Sequence, residues 1–321
     1  MKKIIPFSKY RYLAFSFSIC VMLIGIVFFF INGVNLGIDF TGGITIQIQF
    51  SKAGVDIATF RKFCQSNGFG SNITQLGGAD SQHYVVRLPA VGDTNLNNQK
   101  IEDFKAACEA SFSPSDYTIL SANLVGSSSS SKLSISSIIL LIVVLSLILL
   151  YTFIRFKEIK YSFGATLSII HDALFVLSII IIFKIELNSQ SLAAILTLLG
   201  YSINDSIVVL SKIKENEFQY ITSNLSKDLK RKIAKEYQQS NTKMITSFMQ
   251  NIDNSITVTL SRTIITGSTT LVMTICLWLF GGIPTRDFAF ILSIGIIIGT
   301  YSSIFIAAPA LLFWGNPKYD Q

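Results

Sequence analysis

The 321-residue chain is half hydrophobic and only 14% charged, where a soluble domain carries about a quarter charged residues. Its mean hydropathy of +0.53 excludes an ordinary soluble protein. The net charge of +7 does not signal nucleic acid, because the lysines and arginines lie in short connectors beside apolar runs, where they report topology.

Six runs reach or approach the roughly 20 residues that cross a hydrocarbon core. They lie near 12–31, 134–154, 162–183, 190–211, 260–280 and 288–313. Lys2, Lys3, Lys9 and Arg11 precede the first span, Arg155, Lys157 and Lys160 join the second and third, and the 212–258 connector carries eight Lys or Arg. The alternate connectors hold only Lys184 and Arg286. Both ends, 1–11 and 314–321, are therefore expected in the cytoplasm. The first run has the character of a signal sequence, but no small-x-small cleavage pattern follows it, so it is read as a retained span.

Residues 32–132 have the texture of a folded domain outside the cytoplasm. Ile44, Ile46, Ile48 and Phe50 alternate with Thr45, Gln47 and Gln49, the period of a half-buried strand. A helical face of Ile57, Phe60 and Cys64 follows, then strands over 71–76 and Tyr84–Leu88. A second helical face of Ile101, Phe104 and Cys108 and a strand over Tyr117–Val125 complete the order strand, helix, strand, strand, helix, strand. That order predicts a small α+β, ferredoxin-like domain. The two helical faces repeat Ile, Phe and Cys at one offset, so the helices are expected side by side on the sheet. Cys64 and Cys108 are then either a disulfide, which an oxidising compartment permits, or packed core thiols. Gly126–Ser131, within the exit segment 126–132, reads as a flexible tether.

The four cysteines have no metal spacing, and no GxxxxGK[ST] string is present, so the sequence gives no sign of a metal, cofactor, nucleotide or enzymatic activity. The informative residues are ionisable groups inside spans, which are costly there and usually face a bundle interior or a water path. Asp172, preceded by His171, lies midway between Lys160 and Lys184, near the middle of span 3. Asp205 stands about 10 Å inside the cytoplasmic end of span 4 at 1.5 Å per residue, on a stripe with Thr197 and Tyr201 and beside Ser202 and Asn204. Arg262 lies about 14 Å beyond Asp253 in span 5, with Thr259, Thr266 and Thr269 on its face.

Asp205 and Arg262 are therefore placed at one depth, either as a pair whose contact follows protonation of the acid or as a static lock between two helices. His171 is read as a local hydrogen-bonding group rather than a relay member. Gly295 and Gly299 form a GxxxG in span 6, a mark of close helix packing.

Four strings together resemble the SecD/SecF family of protein-export membrane proteins, in its smaller-subunit branch. They are Gly37-Ile-Asp-Phe-Thr-Gly-Gly43 after span 1, Gly200-Tyr-Ser-Ile-Asn-Asp-Ser206 in span 4, Leu260-Ser-Arg-Thr263 in span 5 and Gly299-Thr-Tyr-Ser-Ser-Ile-Phe305 in span 6. The resemblance implies a resistance-nodulation-division (RND) type half-bundle, completed to twelve spans by SecD, in the bacterial inner membrane. It also implies work beside the SecY/SecE/SecG channel, where flow of H⁺ or Na⁺ moves the exported domain on an emerging preprotein.

On that basis Asp205 is the protonatable relay residue and Arg262 its partner, and Asp172 belongs to a His-Asp step similar to the family's. Gly37, Asp39, Gly42 and Gly43 form a junction between membrane and exported domain, with a simple turn as the alternative. Two features depart from the family. Ser211-Lys212 replaces the usual Asp-Arg pair after span 4, and the following connector carries an added lysine-rich amphipathic stretch around Asp228 to Tyr237. The readings that compete with an ion-driven export motor are a non-conducting assembly subunit and half of a small-molecule exporter.

Overall fold

The computed structural model describes residues 4–51, 55–70, 73–76, 82–89, 94–223, 241–281 and 283–314. The amphipathic stretch expected around Asp228 to Tyr237 lies outside these residues. The chain divides into two compact units, one of Leu36–Leu140 with Leu187–Ser189 and one of Met1–Asn35, Leu141–Glu186 and Gln190–Gln321.

In the first unit a helical turn, α1 (Ile38–Thr41), leads into strand β1 (Gly43–Phe50), helix α2 (Ile57–Ser66), strands β2 (Ile73–Leu76) and β3 (His83–Leu88), helix α3 (Thr94–Ser111) and strand β4 (Tyr117–Val125). The sheet order is β2-β3-β1-β4, antiparallel throughout, which is the split βαβ arrangement expected from the element order. Every second residue of β1 from Ile44 to Phe50 is buried. Thr45 is buried as well, so alternation alone understates how enclosed this central strand is.

Asp56 accepts the backbone N–H of Thr59 at 2.9 Å and so starts α2, filling one of the orphan donors of a helix N-terminus. That hydrogen bond holds the Asp56 carboxyl below its ordinary range. The cap is therefore fully present above the unfolded carboxyl pKa and is lost as pH falls through the lower folded value. Phe60 sits 5.4 Å from Phe50 and 5.0 Å from Tyr84, ring centre to ring centre. Burying each such ring contributes about 1.5–3 kcal/mol.

Cys64 and Cys108 are both fully buried, and both are free thiols. Of the two sequence readings, the structure takes the packed core. Burial pushes each thiol up to about 12, and the thiolate is the reactive form. Neither cysteine is expected to react with iodoacetamide at about pH 8 while the domain is folded. Mass spectrometry before and after denaturation checks this, and rapid native labelling of either residue would contradict it.

The exit segment differs from its expectation. Helix α5 begins at Ser127 and runs to Phe156, so the serine run is its first turns rather than a loose tether. The Ser130 amide donates to the Gly126 carbonyl at 3.0 Å. Farther on, Ser134 Oγ donates both to the carbonyl of Ser130 at 3.0 Å and to that of Phe40 at 3.2 Å. Serine is unfavourable in an isolated helix interior but well suited to a first turn, and a composition rule for linkers cannot see the apolar span that continues it.

The second unit is helical. Its elements are α4 (Arg11–Asn32), the remainder of α5, α6 (Ile159–Ile182), α7 (Ser189–Ser223, from Gln190 onward), α8 (Asn241–Phe280) and α9 (Ile283–Ser302). Among the described residues six helices are long and apolar enough to cross a membrane: Phe7–Asn32, Ser129–Phe156, Ile159–Ile182, Ser189–Glu217, Phe248–Phe280 and Thr285–Phe313. The third, fourth and sixth are about half buried within the protein and the others mostly exposed, so α6, α7 and α9 form the inner layer.

Close packing there depends on glycine. A Cβ on Gly295 would lie 2.7 Å from Leu198 Cβ and one on Gly299 would lie 3.0 Å from Ser202 Cβ, so the GxxxG of α9 seats against α7 as its spacing predicts. After Ser302 the helix widens into a π turn over Ser303–Ala307.

An ionic cluster closes one end of this layer. Lys160 Nζ donates to both Glu217 carboxylate oxygens, at 2.9 and 3.0 Å, and the Tyr161 hydroxyl donates to the same carboxylate. Lys214 Nζ donates to the Phe156 carbonyl at 2.6 Å and pairs with Glu158 at 2.8 Å.

Candidate ion-coupling site

The in-span polar residues fall into two groups. The first surrounds Asp172 on α6, which is fully buried. One carboxylate oxygen accepts the hydroxyls of Ser202 on α7 and Ser302 on α9, the latter at 2.8 Å. The other lies 2.9 Å from His171 Nδ1. His171 Nε2 lies 2.8 Å from Ser18 Oγ on α4, so the imidazole bonds a second span as well as its neighbour Asp172.

Ser168 Oγ donates to Ser302 Oγ at 3.0 Å and lies 3.2 Å from Ser206 Oγ. Sequence reading missed Ser18, Ser168, Ser206 and Ser302. The signal was available in part, because Ser168 and Asp172, and likewise Ser202 and Ser206, stand four residues apart and therefore share a helix face.

The second group contains Asp205 and Arg262. Asp205 is buried, and among the described residues its Oδ2 has no hydrogen-bond partner and no hydrogen bond or ion pair joins it to Arg262. Arg262, Thr266 and Thr269 on α8 and Asn204 on α7 are exposed, whereas Thr259 is buried. The threonines spend their hydroxyls on their own helix: Thr259 on the Ser255 carbonyl at 2.9 Å, Thr266 on Arg262 at 2.9 Å and Thr269 on Ile265 at 3.0 Å. This back-bonding satisfies a hydroxyl inside a span without a neighbouring helix. The Tyr201 hydroxyl is buried with no partner. The expected stripe thus exists as a face, but its hydroxyls are not linked to Asp205.

The glycine-rich string after span 1 is a junction within the first unit. Leu36 forms a parallel bridge with Leu187, and the Gly37 amide donates to the Leu187 carbonyl at 2.8 Å. Asp39 Oδ2 accepts the Ser189 amide at 2.8 Å, and Ser189 is the first residue of α7. Asp39 therefore caps a helix supplied by a distant part of the chain. Asp39→Ala is expected to speed hydrogen exchange at the Ser189 amide and to cost about 1 kcal/mol, as the loss of an N-cap does. Asp39→Asn, which keeps a side-chain carbonyl, should retain most of the protection. Exchange at Ser189 unchanged in Asp39→Ala would remove the cap from the account.

With this geometry in hand, the chain can be set beside known proteins. Residues 104–317 match the family described as protein export membrane protein SecD/SecF, C-terminal, and residues 27–53 match the SecD/SecF GG motif. The protein translocase subunit SecF of Rickettsia akari is 32% identical over 98% of this chain and 93% of its own length. That of Desulfurispirillum indicum is 32% identical over 99% and 93%. Among solved structures, SecDF of Thermus thermophilus, described as a translocon-associated membrane protein, superposes with a TM-score of 0.79 at 28% identity. That match covers 98% of this chain and 39% of the SecDF chain, so the present chain spans about two fifths of that larger protein.

Proposed function

Because the chain belongs to the SecD/SecF family of protein-export membrane proteins, we propose that it is the SecF half of an ion-driven export motor. SecD completes its bundle, and the pair uses H⁺ or Na⁺ flow to assist late preprotein movement beside the SecY/SecE/SecG channel. The bundle sits in the bacterial inner membrane with both chain ends cytoplasmic, as the basic connectors favour.

The observation that carries this reading is the exposed Arg262 on a membrane span, together with a buried Asp205 oxygen that has no hydrogen-bond partner among the described residues. An arginine at mid-span costs about 2.5–3.5 kcal/mol against lipid on insertion scales, so the face that bears it is built for a protein partner. Thr266 and Thr269, exposed on the same helix, supply further polar groups that lipid would not reward. One charge moved through 100 mV yields about 2.3 kcal/mol, whereas inverting a 1:99 population takes about 5.5 kcal/mol. A single ion therefore biases the exported domain without making its movement all-or-none.

Asp205→Asn, assembled with SecD and the channel in vesicles, is expected to lose the stimulation of preprotein translocation by an ion gradient while keeping gradient-independent transport. A variant that assembles and still responds fully would leave the non-conducting assembly subunit as the better reading. Arg262→Lys should also lose the response, because a point ammonium does not reproduce the planar guanidinium.

A further inference from the structure

The hydrogen bonds around Asp172 fix a proton count. The Tyr301 hydroxyl lies 2.7 Å from the Ala14 carbonyl, which only accepts, so the phenol proton is committed there. Ser18 Oγ, 3.1 Å from the phenol oxygen, must then donate to it. Its own proton spent, Ser18 accepts from His171 Nε2 at 2.8 Å, and Nε2 therefore carries a proton. Between His171 Nδ1 and Asp172 Oδ1, at 2.9 Å, two acceptor lone pairs would repel, so a proton lies there as well. A neutral imidazole beside a carboxylate has only one proton on the ring. The pair holds one more, either as imidazolium and carboxylate or as imidazole and carboxylic acid.

The far side has a direction too. Ser302 and Ser202 donate to Asp172 Oδ2, and Ser168 donates to Ser302. Ser206, 3.2 Å from Ser168, is left to donate to it. The bonds run one way from Ser206 through Ser168 and Ser302 to the pair, and from the pair through Ser18 to Tyr301. The bundle holds this line close. Gly299 admits Ser202, Gly164 admits the Ala307 carbonyl at 2.8 Å from where a Cβ would stand, and a π turn, a frequent mark of functional sites, starts at Ser303.

We propose that the His171–Asp172 pair is a proton-holding site within this half-bundle, separate from Asp205, loaded and emptied through the hydroxyls of Ser302, Ser168 and Ser206. This rests on the ion-driven reading, with H⁺ as the ion. In loading, a proton reaches Ser206 Oγ as Ser206 passes its own to Ser168, Ser168 passes its own to Ser302, and Ser302 passes its own to Asp172 Oδ2, after which the carboxyl turns to present that proton to His171 Nδ1. The pair gains one proton and every hydroxyl is regenerated, turned over. Unloading is the reverse, and leaves a neutral imidazole beside a carboxylate.

The chain has two histidines, so ¹⁵N-histidine spectra of the full-length protein in lipid bilayers, compared with His83→Asn, isolate His171. The expected spectrum shows Nε2 protonated and Nδ1 either protonated or in a strong hydrogen bond. A bare Nε2 with the only ring proton on Nδ1, unchanged between acidic and alkaline buffer, overturns the proposal, because the pair then neither gains nor loses a proton. This measurement leaves both residues of the pair intact.

In translocating vesicles the double variant His171→Gln/Asp172→Asn keeps hydrogen-bonding amides but neither gains nor loses a proton, and at least a tenfold loss of gradient-stimulated transport is expected. Ser168→Ala should show a similar loss, and Ser168→Thr should restore the response. A wild-type response in the double variant, with Asp205→Asn still defective, overturns the pair as a proton site and leaves the proposed function standing. A wild-type response in both overturns both.

Discussion

Glu217→Ala is expected to lower the stability of the helical unit by about 3 kcal/mol, because it takes the nearer of two carboxylates, at 2.9 Å against 3.7 Å for Glu158, from a mostly buried ammonium. The Lys160 and Glu217 side chains are 16% and 9% exposed, and Glu217 receives two bonds from Lys160 and one from Tyr161. Tyr161 is fully buried and packs on Phe156 at 5.7 Å, so losing the carboxylate also removes the hydrogen bond its hydroxyl gives to Glu217.

The pair itself gains little over an apolar substitute, since desolvation consumes much of the Coulomb attraction. The double variant Lys160→Met/Glu217→Leu should therefore recover most of the loss. Thermal unfolding in detergent of wild type, both single variants and the double variant measures the coupling. Single variants within about 0.5 kcal/mol of wild type would place this cluster among ordinary surface ion pairs. Lys214 and Glu217, in the turns after Ser211 and Lys212, tie α7 to the start of α6.

Spans, sheet order and helix faces were legible in the sequence because each rests on a local period that one element satisfies alone. Ile44 to Phe50 buries its alternate residues, and Phe60 with Cys64 and Phe104 with Cys108 are the inward faces of α2 and α3. The site was half legible. Asp172, Asp205 and Arg262 announce themselves as charges where charges are expensive, but what they touch depends on helix rotation and crossing. The stripe of Thr197, Tyr201 and Asp205 was visible by composition. The neighbouring stripe of Ser202 and Ser206 on the same helix is the one that meets Asp172. Serines give no such signal, since a single hydroxyl in a span satisfies itself on its own backbone as easily as on a neighbour. The start of α5 at Ser127 was hidden for a related reason, because a serine run fits both a linker and a first helical turn.

The paired glycines after span 1 lead to the last prediction. Gly37 has φ −73° and ψ 167°, an extended backbone open to any residue, and Gly37→Ala should leave the first unit unchanged in its backbone. Gly42 has φ 73° and ψ 153°, in a region essentially reserved for glycine, where another residue costs on the order of 1–3 kcal/mol. Gly43 combines φ 147° with a close approach: a Cβ there would lie 2.9 Å from the Leu88 carbonyl oxygen and 3.3 Å from Ile38 Cγ2. Leu88 is the register partner of Ile44, the next residue of β1, so the clash falls on the backbone that pairs the two central strands and has no flexible side chain to absorb it. Gly43→Ala is therefore expected to cost about 3 kcal/mol or more, backbone strain and overpacking together, ahead of Gly42→Ala and far ahead of Gly37→Ala. Hydrogen exchange across the β1–β3 ladder of the full-length protein reads the order directly. Equal protection in all three variants would mean that the strands accommodate a methyl group at Gly43 without shifting.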